Sequence, residues 1–165
     1  VAVAQACPHL QELNVRSCDL TDAAFLALGR GCPNLEVLNV DSCSNLTDVG
    51  IEAVARGCPN LQVVIVSRCR KLTTAAIAAL AHHCPDLLQL DVKQCGLGAL
   101  PDNIGNLSRL FKFNASSNGL QGLPRSILNL DVECDVDIFM NPLRTIPLDI
   151  LEQGMPATRQ YLQSL

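Results

Sequence analysis

The chain has 165 residues, 48% of them apolar, and a net charge of −4, which is enough material for one domain with a sizeable buried core. Its 12 basic residues are scattered among 16 acidic ones, so the clustered cationic face that nucleic acid requires is missing. Aromatic content is 3% with no Trp, so a core of Leu, Val, Ile and Ala in thin regular layers is expected. No apolar run approaches the roughly 18 residues of a membrane helix, and neither a nucleic-acid nor a membrane partner is expected.

At the amino end, residues 1–6 match the "EAVARG" that precedes Cys58. They are read as the tail of a preceding repeat whose strand is missing, and the segment lacks the basic lead and the length of a secretory signal. From Cys7 the chain repeats itself. "CPHLQELNVRSC" at 7–18 returns as "CPNLEVLNVDSC" at 32–43, "CPNLQVVIVSRC" at 58–69 and "CPDLLQLDVKQC" at 84–95. Cys7, Cys32, Cys58 and Cys84 are spaced 25, 26 and 26 apart, and Cys18, Cys43, Cys69 and Cys95 follow in step. The period then shortens to 23 and the marker becomes Asn118 and Asn141. Periodicity of this length signals stacked repeats.

Ahead of each marker stands an apolar alternation: Leu35, Leu38 and Val40; Leu61, Val64 and Val66; Leu110, Phe113 and Ala115. The alternation predicts a short strand with one face inward. The marker turns inward after the strand, where backbone groups of the turn need partners. An Asn amide both donates and accepts there, and a thiol does so weakly. The second cysteine of each pair is therefore a ladder residue holding turns in register. Eight of nine cysteines fall on the period, as buried side chains would, so reduced, packed thiols and a reducing, cytoplasmic setting are expected. The sequons at Asn45, Asn106 and Asn114 are a mild counter-signal.

The pattern L-x-x-L-x-L-x-x-N/C-x-L resembles the leucine-rich-repeat superfamily along essentially the whole chain. Units one to four, residues 7–95, are similar to the cysteine-containing subclass best known from F-box substrate receptors, and residues 96–150 to the 23-residue subclass. The resemblance implies an α/β fold, a right-handed leucine-rich-repeat solenoid with parallel strands on a concave face and helices on the convex one. The sixth unit departs from the pattern at Glu133, where a leucine is expected.

Between strands, "LTDVGIEAVARGCP" predicts a helix with Thr47 or Asp48 as N-cap, Val49, Ile51, Val54 and Ala55 inward, Gly57 as a stop and Pro59 beyond. "LTTAAIAALAHHCP" repeats it with Ile77 and Leu80, and Cys58 and Cys84 pack under the helix ends. Helices are about 10 Å wide and strands about 4.8 Å apart, so the stack must curve with its strands inside. In the later units the "LPxxI" segment is too short for a long helix. Residues 151–165 are expected to form a capping helix with Pro156 near its start and an apolar stripe of Met155, Tyr161, Leu162 and Leu165, covering the last open edge and with it Phe139 and Met140. The ending is similar to the segment that closes the repeats in some Roco-type GTPase and kinase proteins.

No phosphate loop, zinc spacing or nucleophile elbow occurs, so no catalytic residue, cofactor, metal ligand or small-molecule substrate is assigned. His82, His83 and Cys84 read as a helix end whose histidines meet exposed carbonyls, and Asp135, Asp137 and Glu133 as a solvated acidic strand. What remains is the outward strand face. Most of its positions are polar, but Val37, Val63 and Ile65 are not, and Arg16, Asp41, Asp91 and Lys93 rim them. An apolar patch with a polar rim marks a protein partner site, and Val37, Asp41, Val63, Ile65, Asp91 and Lys93 are the expected partner-binding residues. By resemblance, the expected function is substrate recognition for a ubiquitin ligase, as an adaptor module. The alternative is the regulatory repeat region of a larger enzyme such as a Roco-type protein.

Overall fold

The structure is a computed structural model and describes residues 7–165. The repeat tail expected at residues 1–6 lies outside the described residues. Six strands, β1 (Glu12–Asn14), β2 (Val37–Asn39), β3 (Val63–Ile65), β4 (Gln89–Asp91), β5 (Lys112–Asn114) and β6 (Asp135–Asp137), form one parallel sheet in chain order. The fold is an α/β solenoid. Each strand is three residues long, with its central side chain inward. Leu13, Leu38, Val64, Leu90, Phe113 and Val136 stand in one register column, and those from Leu38 to Val136 are buried.

Helices α1 (Asp22–Gly31), α2 (Asp48–Gly57) and α3 (Thr74–His83) return the chain across the other face. Their starts are written in threonine. Thr47 Oγ1 accepts from Val49 N and Thr73 Oγ1 from Ala75 N, so Thr47 is the N-cap and Asp48 the first helical residue. Asp48 reaches sideways instead, accepting from Thr73 N at 2.8 Å and Thr73 Oγ1 at 2.6 Å, as Asp22 does from Thr47 at 2.9 and 2.7 Å. Each first-turn carboxylate thus fastens the next helix's cap. At the helix ends, the backbone N–H groups of Cys32, Cys58 and Cys84 donate to Leu28, Val54 and Leu80, and the prolines that follow prevent continuation.

Two expectations for α2 are corrected. Ile51, Val54 and Ala55 are buried, but Val49 is 56% exposed and Gly50 takes the inward position in its place. Gly57 is no conformational stop. A Cβ there would lie 1.7 Å from the Gly29 carbonyl oxygen, so glycine is required for the close approach of α2 to α1.

Where the period shortens, the helices give way to 3-10 turns at Ile104–Asn106 and Arg125–Asn129. In the sixth unit the structure resolves the departure at Glu133 by a slip of one residue. Glu133 is exposed, and the buried Cys134 makes the N–H contact to a carbonyl three residues back that Leu110 and Leu87 make in their units.

The carboxyl end forms α4 (Leu148–Glu152) and α5 (Met155–Ser164). Leu162 and Thr158 are buried, Met155 and Tyr161 are half-buried, and Leu165 is exposed, so the stripe is shorter than expected. Arg159 of α5 donates to the carbonyls of Leu130 and Asp131, tying the helix to the segment that leads into β6. The helix does not cover the edge at β6 itself, where Phe139 stays 70% and Met140 81% exposed.

Candidate functional site

The strand face presents two outward rows, Glu12, Val37, Val63, Gln89, Lys112, Asp135 and Asn14, Asn39, Ile65, Asp91, Asn114, Asp137. Val37 and Val63 are register partners, and Ile65 lies two residues along β3 between Asn39 and Asp91. All three are half-buried. Past the strand ends a groove of about 450 Å³ is lined by Arg16, Asp41, Ile65, Arg68, Asp91 and Lys93, among others. Asp41, Ile65, Asp91 and Lys93 are thus brought together, while Val37 and Val63 flank the groove from the other end of their strands.

Asp41 is not an exposed rim residue. It is 3% exposed, and its Oδ2 accepts from Arg16 Nη2 at 2.9 Å and Arg68 Nη2 at 2.6 Å while Oδ1 accepts from Ser42 Oγ. Burial alone would raise this carboxyl, but the hydrogen bonds from Arg68 and Arg16 outweigh it and hold the group below its ordinary value. Asp91 is likewise occupied, accepting from Ser67 Oγ at 2.6 Å and Lys93 N at 3.0 Å. Both carboxylates are spent on neighbours, and the outer faces of Arg16, Arg68 and Lys93 remain in solvent. The groove is therefore cationic at its surface.

Arg68 escapes a reading by strand alternation because it lies in the turn after β3. It holds the left-handed conformation, φ 61°, as do Ser17, Ser42, Gln94, Ser117 and Met140 one position before each marker. Comparing that position across units would have singled out the one arginine.

The marker column is a ladder. The thiols of Cys43, Cys69 and Cys95 donate to the carbonyls of Val15, Val40 and Val66 at 3.3, 3.2 and 3.1 Å, and the amides of Asn118 and Asn141 to Val92 and Ala115 at 3.0 Å. Cys18, in the first described unit, is exposed, and its thiol donates within its own turn, to the Arg16 carbonyl. Burial pushes Cys58, Cys84 and Cys95 up to about 12 and Cys69 to about 11, so these thiols are protonated and unreactive at neutral pH.

Among the described residues, no group of three His, Cys, Asp or Glu is placed to hold a metal. The rings of His82 and His83 meet edge-on at 4.6 Å, while the buried Cys84 donates inward to Ala55 and Cys58. Asp135 is exposed, and Asp137 accepts from Phe139 N. No described helix is long and apolar enough to cross a membrane.

A leucine-rich-repeat family model matches residues 6–29 and 31–55. Among solved structures, a chain of the yeast Rad7 and Elc1 complex is similar over 76% of this chain with 19% identity and a TM-score of 0.55. A leucine-rich-repeat protein of Leptospira interrogans is similar over 90% with 20% identity and a TM-score of 0.52. The chain spans 33% and 47% of those two structures.

Proposed function

We propose that this chain is a leucine-rich-repeat protein-interaction module that holds a partner protein on its strand face. One observation carries the reading. Val37, Val63 and Ile65 are left half-exposed on an otherwise polar sheet, beside a groove whose carboxylates are already engaged and whose cations, Arg16, Arg68 and Lys93, keep solvent-exposed surface. An apolar centre with a polar, charged rim is the anatomy of a partner surface. The residues assigned to it are Val37, Val63, Ile65, Asp91 and Lys93, with Asp41 positioning Arg16 and Arg68. Val63→Glu and Ile65→Glu are each expected to abolish capture of the partner from a lysate while leaving the melting temperature nearly unchanged. Capture that survives both substitutions would end this reading.

The finer form is substrate recognition for a ubiquitin ligase in the cytoplasm. It is supported by the likeness of the cysteine-containing units to F-box substrate receptors, and the yeast neighbour, solved with a second protein, is consistent with it. The second reading, regulation of a larger Roco-type enzyme, is favoured by residues 154–165 alone, which contain α5 and fold back onto the solenoid.

A further inference from the structure

The β6 edge of the sheet is open, and its unpaired backbone groups follow a rule set by every earlier unit. The N–H three positions before each marker (Val15, Val40, Val66, Val92, Ala115) donates to the next strand, as does the N–H one position before it (Ser17, Ser42, Arg68, Gln94, Ser117). The carbonyl seven positions before the marker (Gln11, Glu36, Gln62, Leu88, Phe111) accepts from the next strand. In the last unit these groups are Ile138 N–H, Met140 N–H and the Cys134 carbonyl. No strand lies beyond β6 among the described residues.

All three residues line one groove of about 780 Å³ between β6 and the α4–α5 segment. Its walls are apolar, with Phe139, Met140 and Leu148 each at least 70% exposed. Glu133, Asp135 and Glu152 line its rim, and Asp137 stands next to them on β6. Of the cations nearby, Arg159 is engaged by the carbonyls of Leu130 and Asp131, and Lys112 faces Asp135 from β5.

We infer that this edge binds an extended peptide segment of a partner protein, added as a seventh parallel strand with a basic–apolar–basic–apolar sequence. The backbone arrangement demands an extended chain, because two donors and one acceptor already stand in ladder positions. The pleat sets the side-chain pattern. Residues opposite Val136 and Ile138 point into the groove and must be apolar. Those opposite Asp135 and Asp137 point out beside carboxylates and must be basic. The site meets the strand-face groove at Met140, which lines both, and shares no other lining residue with it.

The test uses the 165-residue chain and a fluorescein-labelled peptide with the core Lys-Leu-Lys-Val between flanking serines. Saturable binding below about 1 mM is expected. It should weaken at least about tenfold when the lysines become glutamates, and again when the first lysine's amide is N-methylated, which removes the donor to Cys134. Leu148→Asp and Asp135→Lys change exposed side chains, so both should fold with unaltered melting and lose binding, whereas Val63→Glu should keep it. No binding, or binding indifferent to N-methylation and to Leu148→Asp, overturns the assignment. So does a concentration-dependent dimer in sedimentation that Leu148→Asp abolishes, since the edge would then belong to a second copy.

Discussion

Asn118 accepts from the backbone N–H groups of Cys95, Gly96 and Leu97 at 3.0, 2.9 and 3.0 Å and donates to Val92 and Ala115 at 3.0 Å each. At the same position Cys69 donates one bond, to Val40. Asn118→Ala strands several backbone groups in a half-buried turn and is expected to cost about 3 kcal/mol, against about 1 kcal/mol for the hydrogen bond lost in Cys69→Ala; urea denaturation of the two variants checks the ranking. The buried thiols also set an alkaline limit. Their folded pKa values, about 12 for Cys58, Cys84 and Cys95 against an ordinary 9.0, mean that the unfolded chain releases protons first as pH rises. Their contribution is complete below about pH 9 and is lost progressively toward pH 12, so the melting temperature should fall steeply in that window. A variant carrying alanine at all three positions should show a shallower fall. Asp41 acts at the opposite end, where its pairing with Arg68 and Arg16 is lost as pH drops below the ordinary 3.8.

The helices illustrate how elements of one solenoid constrain each other. Alanine normally favours a helix over glycine by about 1 kcal/mol. At Gly57 the new methyl would strike the Gly29 carbonyl, and such overpacking costs about 1–3 kcal/mol. Gly57→Ala is expected to lower the melting temperature, whereas an exposed helix glycine replaced by alanine would raise it. The turns after the strands show the reverse case. Gln94 is exposed, holds φ 56° and makes no side-chain hydrogen bond among those of the described residues. Glycine adopts that conformation without the penalty an L-residue bears. Gln94→Gly should therefore be neutral or slightly stabilising in thermal melts, and Gln94→Val clearly destabilising.

At the scale of the whole molecule, each unit touches mainly its neighbours, so stability is close to a sum of unit and interface terms. Phe113 sits in the inward column between Leu90 and Val136, with no exposure. Phe113→Ala removes the side chain that joins the 26-residue spacing to the 23-residue spacing, at a cost of about 3–5 kcal/mol. Hydrogen exchange should then speed up in β4, β5 and β6 while β2 stays protected. Uniform acceleration across all six strands would show instead that the solenoid unfolds as one cooperative block. The same stacking makes the strand face a continuous surface, so Val63→Glu and Ile65→Glu can alter recognition without touching the core beneath.

The amino-acid order alone determined most of the residues that are inside, Val49 and Leu165 excepted. Periodic Leu, Val, Cys and Asn positions imply short strands, a ladder of markers and intervening helices, because burial of one face in every unit is a local, repeating requirement. It also marked Val37, Val63 and Ile65 as apolar residues where polar ones belong. Only the tertiary structure decided what those outward residues do to one another. Asp41 turned out to be a buried counter-ion to Arg16 and Arg68, Gly57 a contact surface, Cys134 the substitute for a missing leucine, and Phe139 and Met140 an open edge. Apart from Cys134, each of these depends on a partner 25 or more residues away in sequence or on the absence of a next strand among the described residues. Such pairings are set by how units stack in space, which no single unit's pattern encodes.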